Sequence, residues 1–118
     1  MGREEMFKSI PVKNPEVSWE TGKSGRVKLN VERKEFIYKV IKVFTGKGRY
    51  EKVPLDRYGS FIWKNIDGKK SVQKILELLE DEYEGEIEDG RERTYKYFKS
   101  LKEYEFIMLI NQELENKK

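Results

Sequence analysis

The residue types that most often do chemistry are scarce in this 118-residue chain. It has no Cys and no His, which leaves Asp, Glu, Lys, Tyr and six Ser. Without thiolate or imidazole there can be no disulfide framework, thiol catalysis, His general base, or Cys- or His-ligated metal site. Two spacings imitate known sites and fail. Gly22-Lys23-Ser24 resembles the end of a phosphate loop, but the position that needs the earlier glycine is Val17. The carboxylates from Glu80 to Glu88 lack the Asp-x-Asp-x-Asp-Gly order of a calcium loop. Binding chemistry remains: Arg91, Arg93, Lys96, Lys99 and Lys102 lie close together with Tyr95 and one acid, Glu92, among them. Tyr95, Lys99 and Lys102 follow i, i+4 and i+3 steps along one helical strip, which suits an acidic peptide. A solvated helix face is the plainer alternative. The reading is a module that binds rather than catalyses, with no cofactor and no metal.

The elements that must carry these residues are legible in part. Val27, Leu29 and Val31 alternate with Arg26, Lys28, Asn30 and Glu32, and Val17 and Trp19 alternate with Glu16, Ser18 and Glu20. With the turn cluster Thr21–Gly25 between them, these segments predict a hairpin with one wet face. Residues 34–48 carry Phe36, Ile37, Val40, Ile41 and Phe44 at helical spacing, yet are rich in strand formers. They read as an amphipathic helix or mobile loop that packs on the sheet, a membrane or partner contact being the lesser alternative. Arg49–Val53 is expected as a short third strand ended by Pro54, which has no N–H for a ladder.

Three helices should follow. Asp56 is placed to cap 57–66, with Gly68 beyond its end in the left-handed conformation. Ser71 is placed to cap a second helix with the stripe Val72, Ile75, Leu76, Leu79 and Tyr83. Asp89 with Glu92 has the spacing of a capping box for a third helix, whose inward stripe is Thr94, Tyr97, Phe98 and Leu101. Phe106–Ile110 reads as a last short strand or an apolar tail. The expected core is Leu29, Val31, Phe61, Ile62, Ile75, Leu79, Phe98 and Leu101. Segregated strands and helices give an α+β domain of winged-helix type, with three N-terminal antiparallel strands followed by three helices. The boundaries are a flexible arm over 1–14, a domain over 15–110 with 34–48 as an insertion, and a charged tail over 111–118. No signal-like or membrane-length apolar run is present, so the expected location is the cytoplasm.

The run Ile10-Pro11-Val12-Lys13-Asn14-Pro15-Glu16-Val17-Ser18-Trp19-Glu20 resembles the opening of PqqD-like proteins. So does Leu55-Asp56-Arg57-Tyr58-Gly59-Ser60-Phe61-Ile62-Trp63, followed by Ile66-Asp67-Gly68-Lys69-Lys70-Ser71-Val72. The resemblance covers about residues 10–110. It departs at the 34–48 insertion, at the charged arms, and at Tyr104-Glu105-Phe106, where the family often has a glycine.

PqqD-like domains are recognition elements for ribosomally made peptides, and the name-giving member serves pyrroloquinoline quinone biosynthesis. What the resemblance implies is a winged helix-turn-helix variant that binds the leader of a precursor peptide. It presents that peptide to a modifying enzyme, often a radical SAM protein. The leader adds to the third strand and rests against the third helix. The expected peptide-binding residues are therefore Arg49, Tyr50, Glu51, Lys52 and Val53 on the strand and Arg91, Tyr95, Lys99 and Lys102 on the helix. An exposed edge strand also leaves a homodimer open. The alternative is a winged-helix DNA-binding regulator. A net charge of only +3 and the acidic second helix (Glu77, Glu80, Asp81, Glu82, Glu84) argue against nucleic acid, and the lack of a membrane-length apolar run argues against a membrane.

Overall fold

The computed structural model describes residues 2–30 and 52–111. The expectations for Val31, for the insertion 34–48, for Arg49, Tyr50 and Glu51, and for the tail beyond Asn111 lie outside the described residues. The chain divides into two compact units: residues 15–63, and residues 1–14 together with 64–118.

In the first unit, β2 (Trp19–Thr21) and β3 (Val27–Asn30) form the expected hairpin, with Trp19 opposite Leu29 and Thr21 opposite Val27. Its turn closes through Gly22 N–H to Arg26 C=O (2.9 Å) and Gly25 N–H to Gly22 C=O (3.0 Å), with Gly25 at φ +82°. A left-handed residue there favours glycine. β4 (Lys52–Pro54) lies on the other side of β3, giving the antiparallel order β2-β3-β4. Val27, Leu29 and Val53 are fully buried on one face of this sheet, and Trp19 stands edge-on to the buried Trp63 at 6.3 Å.

The chain then enters α2 (Arg57–Asn65), where the Asp56 carboxylate accepts the Gly59 amide at 2.7 Å and so caps the helix as expected. Ser60, also buried, ties helix to sheet. Its hydroxyl accepts the Val27 N–H at 2.9 Å and donates to the Leu55 C=O at 3.4 Å. The buried residues of α2 are Gly59, Ser60, Ile62 and Trp63, while Phe61 is only half-buried. The expectation that Phe61 fills the core is thus corrected: the buried arc of α2 passes through Ser60 and Trp63, and Phe61 lies at its margin.

In the second unit, residues 3–13, expected as an arm without regular elements, form α1 (Arg3–Lys8) and β1 (Ile10–Lys13). α1 buries Met6 and Phe7 and packs on α3 (Val72–Glu82) and α4 (Gly90–Glu103). β1 pairs antiparallel with β5 (Ile107–Ile110), Ile10 opposite Ile110. The strands are therefore not all N-terminal, and a helix precedes them. What stands is the α+β class with antiparallel sheets.

α3 begins as expected, with the Ser71 hydroxyl accepting the Lys74 amide at 3.1 Å, and Val72, Ile75, Leu76 and Leu79 are buried. Gly68 is left-handed (φ +78°) as expected, but three residues past the end of α2, in a turn where the Asp67 carboxylate accepts the Lys69 and Lys70 amides at 2.9 Å.

α4 departs from expectation at its N-terminus. Asp89 is left-handed (φ +53°) and its side chain makes no cap hydrogen bond, while Glu92 turns to Arg3. No capping box forms. At the C-terminus Glu105 is left-handed (φ +60°), the Glu105 amide reaches the Lys102 C=O (3.0 Å), and the Phe106 amide reaches the Leu101 C=O (2.9 Å). That is a Schellman cap, closed by the buried pair Leu101 and Phe106.

Candidate functional site

Two surfaces, one in each unit, carry the expected binding residues that are described. The first is the outer edge of β4. Leu55 N–H donates to Val27 C=O at 2.9 Å, which makes 27/55 a hydrogen-bonded pair. Bonded and non-bonded pairs alternate in an antiparallel ladder, so 29/53 is bonded while 28/54 and 30/52 are not. The Lys52 N–H and C=O and the Pro54 C=O therefore point away from β3. Pro54 loses nothing in the ladder, because its missing N–H falls on the outer side. Among the described residues β4 pairs with β3 alone. The strand can thus offer main-chain groups to an added strand. It does not offer the Val53 side chain, which is fully buried beneath the sheet.

The second surface is the flank of α4. At 100° per residue Arg91, Tyr95, Lys99 and Lys102 fall within about 80° of arc. They sit beside the buried stripe Thr94, Phe98 and Leu101. The structure does bring these four onto one flank, but it does not leave all of them open. The Arg3 guanidinium of α1 lies 4.1 Å over the Tyr95 ring and grips both carboxylate oxygens of Glu92, one at 3.2 Å. Arg91 stacks 4.0 Å over the Phe7 ring and donates to the Gln73 side chain at 3.1 Å. The hydrogen bond from Arg3 holds the Glu92 carboxyl below its ordinary range, and the same contact pushes Arg3 up. Lys96 stands 3.9 Å from Glu92. Lys99 and Lys102 are exposed, and no ion pair reaches them among the described residues.

α1 is seated firmly. Burying Met6 and Phe7 stabilises it by roughly 3–6 kcal/mol on transfer grounds. The first half of the α4 flank is therefore a composite of two helices, and the second half is lysine alone. Sequence reasoning placed Glu92 on this surface but missed Arg3 and Phe7 as parts of it, and with them the pairing of Glu92 to Arg3. Nothing in a local pattern links residues 3 and 92, which lie 89 positions apart.

Among the described residues no group of three or more acidic side chains is placed to hold a metal ion, and no helix is long and apolar enough to cross a membrane. A family model described as coenzyme PQQ synthesis protein D (PqqD) matches residues 26–107. No curated protein and no solved structure gives a significant match. The matched region begins at β3, runs through β4, α2, α3 and α4, and ends on the first residue of β5, well over half of the chain. The chain belongs to the PqqD family.

Proposed function

We propose that this protein is a non-catalytic peptide-binding adaptor. It captures the leader of a ribosomally made precursor peptide and presents it to a modifying enzyme, of which a radical SAM protein is the type the family suggests. The observation that carries this reading is the outer edge of β4, whose Lys52 N–H and C=O face away from the sheet. Strand addition uses backbone groups and asks for no special side chains, which suits a chain without Cys or His. The order β2-β3-β4 followed by α2-α3-α4 is the order of a winged helix-turn-helix recognition element. In this reading the segment 49–53 (Arg49, Tyr50, Glu51, Lys52 and Val53) receives the leader, and the α4 flank supplies the charges of Arg91, Lys99 and Lys102, with Tyr95 beside them. The work is done in the cytoplasm, where precursor and enzyme meet. Pairing of two copies through an open edge would compete with the leader for the same groups.

The test is an NMR titration with the precursor peptide encoded beside this protein's gene. Amide shifts at Lys52 and Val53 and along 91–102 are expected. Shifts confined to Glu77–Glu84, or no shifts at all, would contradict the proposal.

A further inference from the structure

The α4 flank holds two carboxylates among its cations, Glu92 and, at its far end, Glu103, and Glu92, in the half that α1 covers, opposes an acidic ligand. Arg3 meets it from α1 with two hydrogen bonds while its guanidinium covers the Tyr95 ring. With Glu92 matched by Arg3, and with Arg91, Lys99 and Lys102 facing no acidic partner among the described residues, the flank is net cationic. We propose that Arg3 is a positioning residue for ligand charge: by neutralising Glu92 and capping Tyr95, it makes the α1–α4 flank a docking surface for an acidic peptide segment. This rests on the peptide-binding reading and names the chemistry of the segment. The anchors are then Arg91, Lys99 and Lys102, while Tyr95 serves as the platform under Arg3 and not as an aromatic contact for the ligand. Arg3 lies outside residues 26–107, so this contribution comes from a part of the chain beyond the family match.

A merely structural role and the charge role give opposite signs for one variant. If Arg3 and Glu92 only clamp α1 in place, both Arg3→Ala and Glu92→Gln loosen the flank and both weaken binding. If Arg3 acts by neutralising Glu92, Arg3→Ala weakens binding of an acidic ligand, whereas Glu92→Gln strengthens it by freeing Arg3. The double variant then returns close to the parent.

The experiment is fluorescence anisotropy on the full-length protein with a labelled alternating Glu-Val dodecapeptide and its Gln-Val counterpart, at low and near-physiological salt. The expected results are about two- to fivefold weaker binding of the acidic probe for Arg3→Ala and about two- to fivefold tighter binding for Glu92→Gln, the range of an exposed charge pair. Both effects should shrink as salt rises, and Tyr95→Phe should bind like the parent. Weakening by Glu92→Gln, equal binding of the Gln-Val probe, or no binding of the Glu-Val probe would each overturn the inference. Tighter binding of duplex DNA than of the Glu-Val probe near physiological salt would overturn it in favour of nucleic acid. None of these outcomes touches strand addition at β4, which the precursor titration tests separately.

Discussion

Glu105→Gly should stabilise the protein. Glu105 is the left-handed residue of the α4 Schellman cap, at φ +60°. That conformation costs an L-residue roughly 1–2 kcal/mol relative to glycine. Glycine has more unfolded-state freedom to lose, a penalty of about 0.4–1 kcal/mol. The difference favours glycine by about 0.5–1 kcal/mol. The side chain is exposed, so little packing is lost. The Glu105 C=O keeps its bond from the Asn14 side-chain amide at 2.8 Å, because that acceptor is backbone. In a chain of this size the gain should raise Tm by about 2–5 °C. Urea unfolding followed by circular dichroism measures it, with Glu105→Ala as the control that removes the side chain and keeps the strain. If glycine is neutral or destabilising, or if alanine stabilises as much as glycine, the left-handed cap is not under strain and the reasoning fails.

Ser60→Ala should destabilise by about 0.5–2.5 kcal/mol. It orphans the buried Val27 N–H, at about 1–3 kcal/mol, offset by about half a kcal/mol of helix propensity; hydrogen exchange at the Val27 amide should accelerate, and an unchanged rate would refute the bond. Phe98→Ala should cost about 3–5 kcal/mol as a cavity in the core, whereas Phe61→Ala should cost only about 1–2 kcal/mol at its half-buried site; equal urea midpoints for the two would contradict the burial pattern. The Asp67 carboxyl is held well below the carboxylate range by the Lys70 side chain and the Lys70 and Lys69 amides. A lowered folded-state pKa gives stability that is present above the ordinary carboxyl value and lost as pH falls toward the folded one. Asp67→Asn should therefore lose part of the stability difference between pH 7 and the range below about pH 4; an unchanged acid profile would refute it.

The sequence made plain what is local. Alternation at Val27 and Leu29, the stripe Val72–Leu79, and the caps Asp56 and Ser71 each follow from a short pattern, and each is seen in the structure. What escaped was set by distant partners or by a conformation the pattern does not encode. β1 reads as featureless, with Pro11 inside it, because its pairing partner is β5, some 100 positions away. α1 is six residues long and buries two side chains, too few to print a period. Asp89 and Glu92 have capping-box spacing, but the left-handed turn at Asp89 turns its carboxylate away and Arg3 takes Glu92. The α4 flank was legible as a set of residues, since helical spacing places Arg91, Tyr95, Lys99 and Lys102 together. Its cover by α1 was not, because that depends on tertiary packing of a segment from the other end of the chain.

If a leader peptide adds as a strand to the outer edge of β4, as proposed, the Lys52 amide should report it. That N–H points away from β3, while Val53, one residue on, already belongs to a bonded pair. Hydrogen exchange read by NMR, with and without a saturating amount of the neighbouring gene's precursor peptide, isolates it. Strand addition predicts that the Lys52 amide slows markedly on binding while the Val53 amide changes little. An unchanged Lys52 rate in the peptide-saturated protein would contradict strand addition at this edge.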